Sequence, residues 1–235
     1  MWRIRSLLFN LTFYPASVLI LSVCLPMLLL PRLWLRKVPP VWLAVGYFLE
    51  KYVLGLDYVV IGEENIPKTG LYIVAMKHQS AWETMKLYRL FGNPVIVLKK
   101  ELMDAPLLGR YGHIMDMVPV DRSKGKEANK FMIAEARRIV FSGNHPLVIF
   151  PQGTRTAPGA KKPYKKGILG LYEDLNLPLI PVALNSGKFW GRNAFWKRPG
   201  TITIKVMPPI APGLPPEDMF QMMQEQIETE SDKLL

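Results

Sequence analysis

One cysteine, Cys24, stands in 235 residues, so no intramolecular disulfide and no cysteine-only zinc cluster can hold the chain together. No acidic residue precedes Glu50, and no charge of either sign lies between Arg5 and Arg32. Among the histidines, neither His113 nor His145 has a nearby set of His, Cys, Asp or Glu at metal-ligand spacing. Both read as structural or solvent-facing, and no metal is expected. Neither a G-x-x-x-x-G-K-[ST] loop nor a G-x-G-x-x-G fingerprint occurs, which leaves a nucleotide-hydrolysing or dinucleotide-dependent enzyme without support. Internal repeats and low-complexity tracts are missing as well. What remains is 49% hydrophobic and 21% charged, enough apolar content for a real core and too much for a disordered polymer.

The net charge of +11 is unevenly spread. Five basic residues and no acid precede Glu50, and the stretch 177–216 repeats that balance, whereas residues 217–235 carry six acids and one base. Such a surplus fits nucleic acid, an anionic membrane surface or a phosphorylated small substrate, and charge alone does not choose. The uncharged stretch between Arg5 and Arg32 is long enough to reach across a bilayer, but Asn10, Thr12, Pro15 and Pro26 interrupt it. A second apolar patch, 41–49, follows Pro39 and Pro40 and is too short to cross. Arg3 and Arg5 before the stretch, and Arg32, Arg36 and Lys37 after it, give little orientation. A kinked or hairpin segment that enters and leaves one leaflet explains both basic flanks, the prolines and the interfacial Trp2, Trp34 and Trp42. Residues 1–50 are therefore expected to be a membrane-associated apolar helical segment, and 51–235 a single further domain. Cys24, inside that apolar stretch, is excluded as a nucleophile.

From about Asp57 the pattern turns to short β-rich runs, at 58–61, 71–76, 94–98, 117–120, 147–150, 179–184 and 201–206. Helical patterns fall at 81–91, 126–141, 165–175 and 217–233. This alternation predicts an α/β fold with a mostly parallel central sheet flanked by helices. The last helix carries Met219, Met223 and Ile227 at a spacing of four with an acidic opposite face, a pattern that suits core packing or a lid and shows no chemistry.

Two constellations could carry chemistry. His78 follows the run 71–76, and Glu83 stands five residues on. A carboxylate in that place can orient one imidazole nitrogen while the other takes a proton, which makes a general-base dyad, although the spacing alone is common. Phe150-Pro151-Gln152-Gly153-Thr154-Arg155-Thr156 opens directly from the apolar run 147–150. It offers main-chain N–H groups, a hydroxyl and a guanidinium, the usual equipment for gripping phosphate; a turn with a solvated arginine would look the same. Between them lie Lys99-Lys100-Glu101-Leu102 and Val118-Pro119-Val120-Asp121-Arg122.

These blocks resemble the 1-acyl-glycerol-3-phosphate acyltransferases (lysophosphatidate acyltransferases). The H-x-x-x-x-D block corresponds to His78–Glu83, the K-x-E-L…D-R block to Lys99–Arg122, F-P-E-G-T-R-S to Phe150–Thr156, and the hydrophobic-proline block to Leu179-Ile180-Pro181-Val182. The tract Pro163-Tyr164-Lys165-Lys166-Gly167 is similar to the basic stretch that follows the third block. Together they span about residues 70–185.

The resemblance implies acyl transfer from acyl-CoA or acyl-acyl carrier protein to the 2-hydroxyl of 1-acyl-glycerol-3-phosphate, giving phosphatidate. His78 and Glu83 would be the catalytic dyad. Arg155 and one of Lys99 or Lys100 would bind the acceptor phosphate, with Gly153 and Thr154 shaping the loop and Arg122 supporting it. No cofactor is implied beyond the thioester co-substrate, and the expected place is a membrane surface, the cytoplasmic face of the inner (plasma) membrane. Two positions depart from the family: Glu83 replaces Asp, and Gln152 replaces Glu. The second leaves another lyso-lipid acceptor, such as lyso-ornithine lipid, open. A non-catalytic anionic-lipid or nucleic-acid binder is the remaining alternative, disfavoured because the basic groups sit in blocks at strand ends rather than interleaved with exposed aromatics.

Overall fold

The computed structural model describes residues 1–24, 38–104, 106–121 and 125–235. Pro26, Arg32, Trp34, Arg36, Lys37 and Arg122, all named above, lie outside them.

The seven apolar runs form one seven-stranded sheet: β1 (Leu56–Ile61), β2 (Ile73–Met76), β3 (Val95–Lys99), β4 (Val118–Val120), β5 (Leu147–Ile149), β6 (Leu179–Leu184) and β7 (Gly200–Val206), in the order β1-β7-β6-β2-β5-β3-β4. The five strands from β2 to β6 are mutually parallel, through β2·β5, β2·β6, β3·β5 and β3·β4. At the other edge β7 runs antiparallel to β6 and carries β1 in parallel with itself. Because side chains alternate across a strand, each central strand feeds two cores. Ile73 and Ala75 face one cluster with Met132, Leu171 and Met223, whereas Val74 and Met76 face another with Phe9, Trp82 and Ile204.

Helices cover both faces: α1 (Trp2–Cys24), α2 (Val38–Phe48), α3 (Leu87–Phe91), α4 (Lys100–Met103), α5 (Pro106–Ile114), α6 (Gly125–Gly143), α7 (Gly167–Leu175) and α8 (Pro216–Lys233). Pro39 and Pro40, which stand before the second apolar patch, do not separate it from its helix; they lie in the first turn of α2, where a missing N–H leaves no helical bond unmade. A π-helical segment, Leu49–Leu54, continues α2 into β1. The expected helix over 81–91 is replaced by a 3-10 turn, Glu83–Met85, followed by α3. The physical reason is local. Glu83 Oε1 accepts the main-chain N–H groups of Gln79 and Ser80, both at 2.7 Å, and such side-chain bonds compete with an ordinary helix start. The short helices α4 and α5 have no counterpart among the expected elements.

No helix among the described residues is long and apolar enough to cross a membrane. Nor is α1 a free appendage. One face of it, Ser6, Phe9, Asn10 and Phe13, is buried against the domain, with Phe9 5.5 Å from the Trp190 ring and Phe13 6.0 Å from Trp42. The opposite face, Ile4, Leu8, Leu11, Val18, Leu19 and Val23, is exposed.

The inner face is pinned by an unusual cation. Lys197 is only 1% exposed. Its ammonium donates to Asn10 Oδ1 at 2.8 Å and to the Phe195 carbonyl at 3.3 Å, and sits 4.8 Å from the Trp190 ring centroid. Cation–π attraction is worth about 0.5–2 kcal/mol, less than the cost of removing an ammonium from water. Burial accordingly pushes the Lys197 ammonium down from 10.5 to about 8.

That shift fixes a pH dependence. Between about pH 8 and 10.5 the unfolded chain holds a proton that the folded chain has released, so stability rises with pH in that window. The thermal midpoint of the wild type, minus that of Lys197→Met at each pH, is expected to climb from pH 8 to 10.5. A flat or falling difference would show that the ammonium is not desolvated.

Candidate active site

The five parallel strands all end at one rim of the sheet, the position at which open α/β sheets bind ligands. The chain leaves β2 into Lys77–Glu83, β3 into Lys100, β5 into Phe150–Arg155 and β6 into Asn185–Lys188. Residues far apart in sequence are thus delivered to one place.

At its centre His78 Nδ1 lies 2.8 Å from Glu83 Oε1. The carboxylate is fully buried. Besides the imidazole it accepts the N–H groups of Gln79 and Ser80 on Oε1 and the Ser186 hydroxyl, at 2.8 Å, on Oε2. So many donors hold it as an acceptor and fix its direction. The third block grips the backbone of His78 itself. Its N–H donates to Gln152 Oε1 at 3.2 Å, and its carbonyl accepts from the Thr156 N–H at 2.8 Å and the Thr156 hydroxyl at 3.0 Å. The imidazole stacks on Phe150 with centroids 4.2 Å apart. With Nδ1 committed to Glu83, Nε2 is the nitrogen left for proton transfer.

His78 opens onto a cavity of about 1130 Å³, somewhat above the usual range for small-molecule sites. Its lining is mostly apolar, with Met85, Met103, Met115, Met117 and Met132 among the side chains, and it also carries Lys99, Gly153, Thr154, Arg155, Lys165, Lys166 and Arg192. Gly153 has a φ of 65°, a conformation that a side chain resists, and this turn brings Thr154 and Arg155 to the cavity. Of the residues expected from sequence, His78, Glu83, Lys99, Gly153, Thr154 and Arg155 converge here. Lys100 instead reaches Asp121, 3.5 Å away. Gln152 is buried, and its amide is turned inward to Tyr164.

Residues 57–185, more than half of the chain, match the family described as Acyltransferase. The chain belongs to the Acyltransferase family. It is 35% identical over 167 residues to the 1-acyl-sn-glycerol-3-phosphate acyltransferase of Pseudomonas aeruginosa, a stretch that is 71% of this chain and 64% of that protein. The enzyme of the same name from Limnanthes douglasii is 33% identical over 161 residues, 68% of this chain and 56% of that one. The matched stretch thus spans less than two thirds of each of these relatives. In fold, the crystal structure of the 1-acyl-sn-glycerophosphate (LPA) acyltransferase PlsC from Thermotoga maritima superposes with a TM-score of 0.74 at 24% identity, covering 100% of this chain and 98% of that one.

Several site residues of this acyltransferase-family chain carry no signal in the sequence. Ser186 follows the hydrophobic-proline block and meets Glu83 only because β6 pairs with β2. Arg192 lies in a stretch without a motif, yet its guanidinium is 3.5 Å from the Arg155 carbonyl. Glu50 and Lys86 form a buried ion pair, Nζ to Oε2 at 2.5 Å, and Trp82 Nε1 donates to the same oxygen at 3.0 Å. Desolvation raises the Glu50 carboxyl and lowers the Lys86 ammonium, in each case against the pull of the other. This pair ties the segment after α2 to the turn that carries Glu83.

Removing one member leaves the other buried and unpaired, which costs about 3–5 kcal/mol. Lys86→Met is expected to lower unfolding stability by that amount in urea, and Glu50→Leu together with Lys86→Met to recover most of it. Equal stability of the wild type and Lys86→Met would contradict the pairing.

Proposed function

We propose that this protein moves a fatty acyl group from a thioester donor, acyl-CoA or acyl-acyl carrier protein, to the 2-hydroxyl of 1-acyl-glycerol-3-phosphate, giving phosphatidate. The observation that carries the reading is the His78–Glu83 pair, 2.8 Å apart, opening onto an apolar cavity with Arg155 on its wall. The names of the relatives support the same reaction.

In this reading His78 Nε2 takes the proton of the acceptor hydroxyl as that oxygen attacks the thioester carbonyl. The new C–O bond forms, the C–S bond breaks, and the imidazolium returns the proton to the departing thiolate. Glu83 keeps the Nδ1–H tautomer and stabilises the imidazolium, as the carboxylate does in a serine-hydrolase triad. No protein nucleophile is needed. Arg155 and Lys99, with Arg192 beside them, grip the acceptor phosphate through charge-assisted bonds and so hold the hydroxyl in line with the base. The flexible, polarizable methionines of the cavity suit acyl chains of more than one shape.

The open face of α1 rests on the membrane surface from which the acceptor is drawn, with its apolar side chains among the lipid tails; the cytoplasmic face is where the thioester donors are met. The departure at Gln152 does not favour a different acceptor, because its side chain points to Tyr164 rather than into the cavity.

The test is mass-spectrometric product analysis of the purified protein on vesicles holding lysophosphatidate and lyso-ornithine lipid, with acyl-CoA or acyl-acyl carrier protein supplied. Phosphatidate is expected, with kcat lowered about 10²–10⁴-fold by His78→Ala and kcat/KM about 10–100-fold by Arg155→Ala. Acylation of only the ornithine lipid, or an undiminished rate in His78→Ala, would overturn the reading.

A further inference from the structure

Gln152 stands where the resembled family has Glu, and its environment gives a reason. The amide is 2% exposed and bonded at both ends. Oε1 accepts the His78 N–H at 3.2 Å, and Nε2 donates to the Tyr164 hydroxyl at 3.1 Å. That hydroxyl donates in turn to Glu228 Oε1 at 2.7 Å, and the same carboxylate oxygen accepts from Lys77 Nζ at 2.6 Å. Tyr164 and Lys77 are buried. Burial, with the Glu228 carboxylate beside it, pushes the Tyr164 phenol well above its ordinary value of 10.0, so the hydroxyl keeps its proton and remains a donor.

The chain of bonds has a direction. Glu228 accepts the Tyr164 O–H bond, so the phenol oxygen has only lone pairs to offer residue 152, while the His78 N–H requires an acceptor there. A glutamine satisfies both demands. A carboxylate could accept from His78 but would meet the phenol oxygen lone pair to lone pair, unless Tyr164 abandoned Glu228.

We infer that Gln152, Tyr164, Glu228 and Lys77 form a positioning relay for His78, and that Gln152 is matched to a carboxylate supplied by the C-terminal helix α8. Glu228 lies outside the stretch that matches the family, so the relay completes the site from beyond it. None of the four acts on the substrate; each acts through the place it gives His78. The inference rests on the proposed role of His78 as the base.

A charge swap tests it. In the double variant Gln152→Glu with Glu228→Gln the direction reverses and every group is again satisfied. Oε1 of Glu228 receives both bonds, so the amide now at position 228 has to turn to present its Nε2 to the Tyr164 oxygen and its carbonyl oxygen to Lys77. The carboxylate now at position 152 accepts from both the Tyr164 hydroxyl and the His78 N–H. Each single variant is expected to lose about 10–100-fold in kcat with KM for lysophosphatidate changed less than about 2-fold, and the double variant to return within about 5-fold of wild type. The second readout needs no turnover. In protein labelled with 15N-histidine, the His78 Nδ1–H resonance, identified by its loss in His78→Ala, should broaden or move in both single variants and return in the double. A single variant with wild-type kcat and an unmoved resonance would overturn the relay. So would a double variant whose losses multiply. If the wild type makes no phosphatidate, the proposed reaction fails while the resonance still decides the relay.

Discussion

A carboxylate removed entirely from water must have its lone pairs occupied, or the cost of burying it exceeds what any one partner returns. Glu83 meets that requirement with donors from three places: the imidazole of His78, the two main-chain N–H groups between them, and the hydroxyl of Ser186 from beyond β6. The 3-10 turn at Glu83–Met85, the pairing of β6 with β2 and the packing of Trp82 beneath the turn all serve this one group. From this turn the longer side chain, Glu in place of the family pattern's Asp, meets Nδ1 at 2.8 Å. A rigidly held carboxylate fixes the tautomer, and a fixed tautomer leaves Nε2 for the proposed proton transfer.

The N-terminal segment is bound to that arrangement from two directions. Lys197 and the aromatic rings around it hold the inner face of α1, and Glu50 ties the end of the following helical segment to Lys86 and Trp82. The outer face of α1 is left apolar and open. A helix with one face in a protein core and the other unpartnered is amphipathic in a sense that hydropathy does not register, because large apolar side chains stand on both, Phe9 and Phe13 inside and Leu8 and Leu11 outside. They differ in what they touch. The sequence presents one apolar stretch, which hydropathy alone assigns to the membrane; the structure divides its described part, in α1, between core and surface.

Elements whose signal is local are legible in the sequence. All seven strands are short β-rich runs bounded by turn residues, and their limits in the sheet fall within a few positions of those runs. His78, Glu83, Gly153, Thr154 and Arg155 are legible for the same reason, since each stands inside a compact block at the end of a strand. A continuous helix over 81–91 does not form because side-chain bonds from Glu83 override helical propensity in its first turn. Ser186, Arg192, Tyr164 and Glu228 are not legible as site residues. Each joins the site through strand order or helix docking, with Ser186 103 positions beyond Glu83 and Glu228 151 positions beyond Lys77. The acidic C-terminal helix, whose pattern suggests packing without chemistry, sends Glu228 into the support of His78 from a position where only topology could place it.

Position is the quantity on which the proposed chemistry turns, since aligning a hydroxyl with a base can supply most of a barrier reduction. The most direct measurement is a crystal structure of the protein with lysophosphatidate and a thioether analogue of the acyl donor that cannot react. The acceptor hydroxyl oxygen is expected within about 2.6–3.2 Å of His78 Nε2, with the phosphate against Arg155 and the acyl chain along the methionine-lined cavity. A headgroup bound away from Arg155, with the hydroxyl out of reach of His78, would contradict the assignment of this rim as the place of acyl transfer.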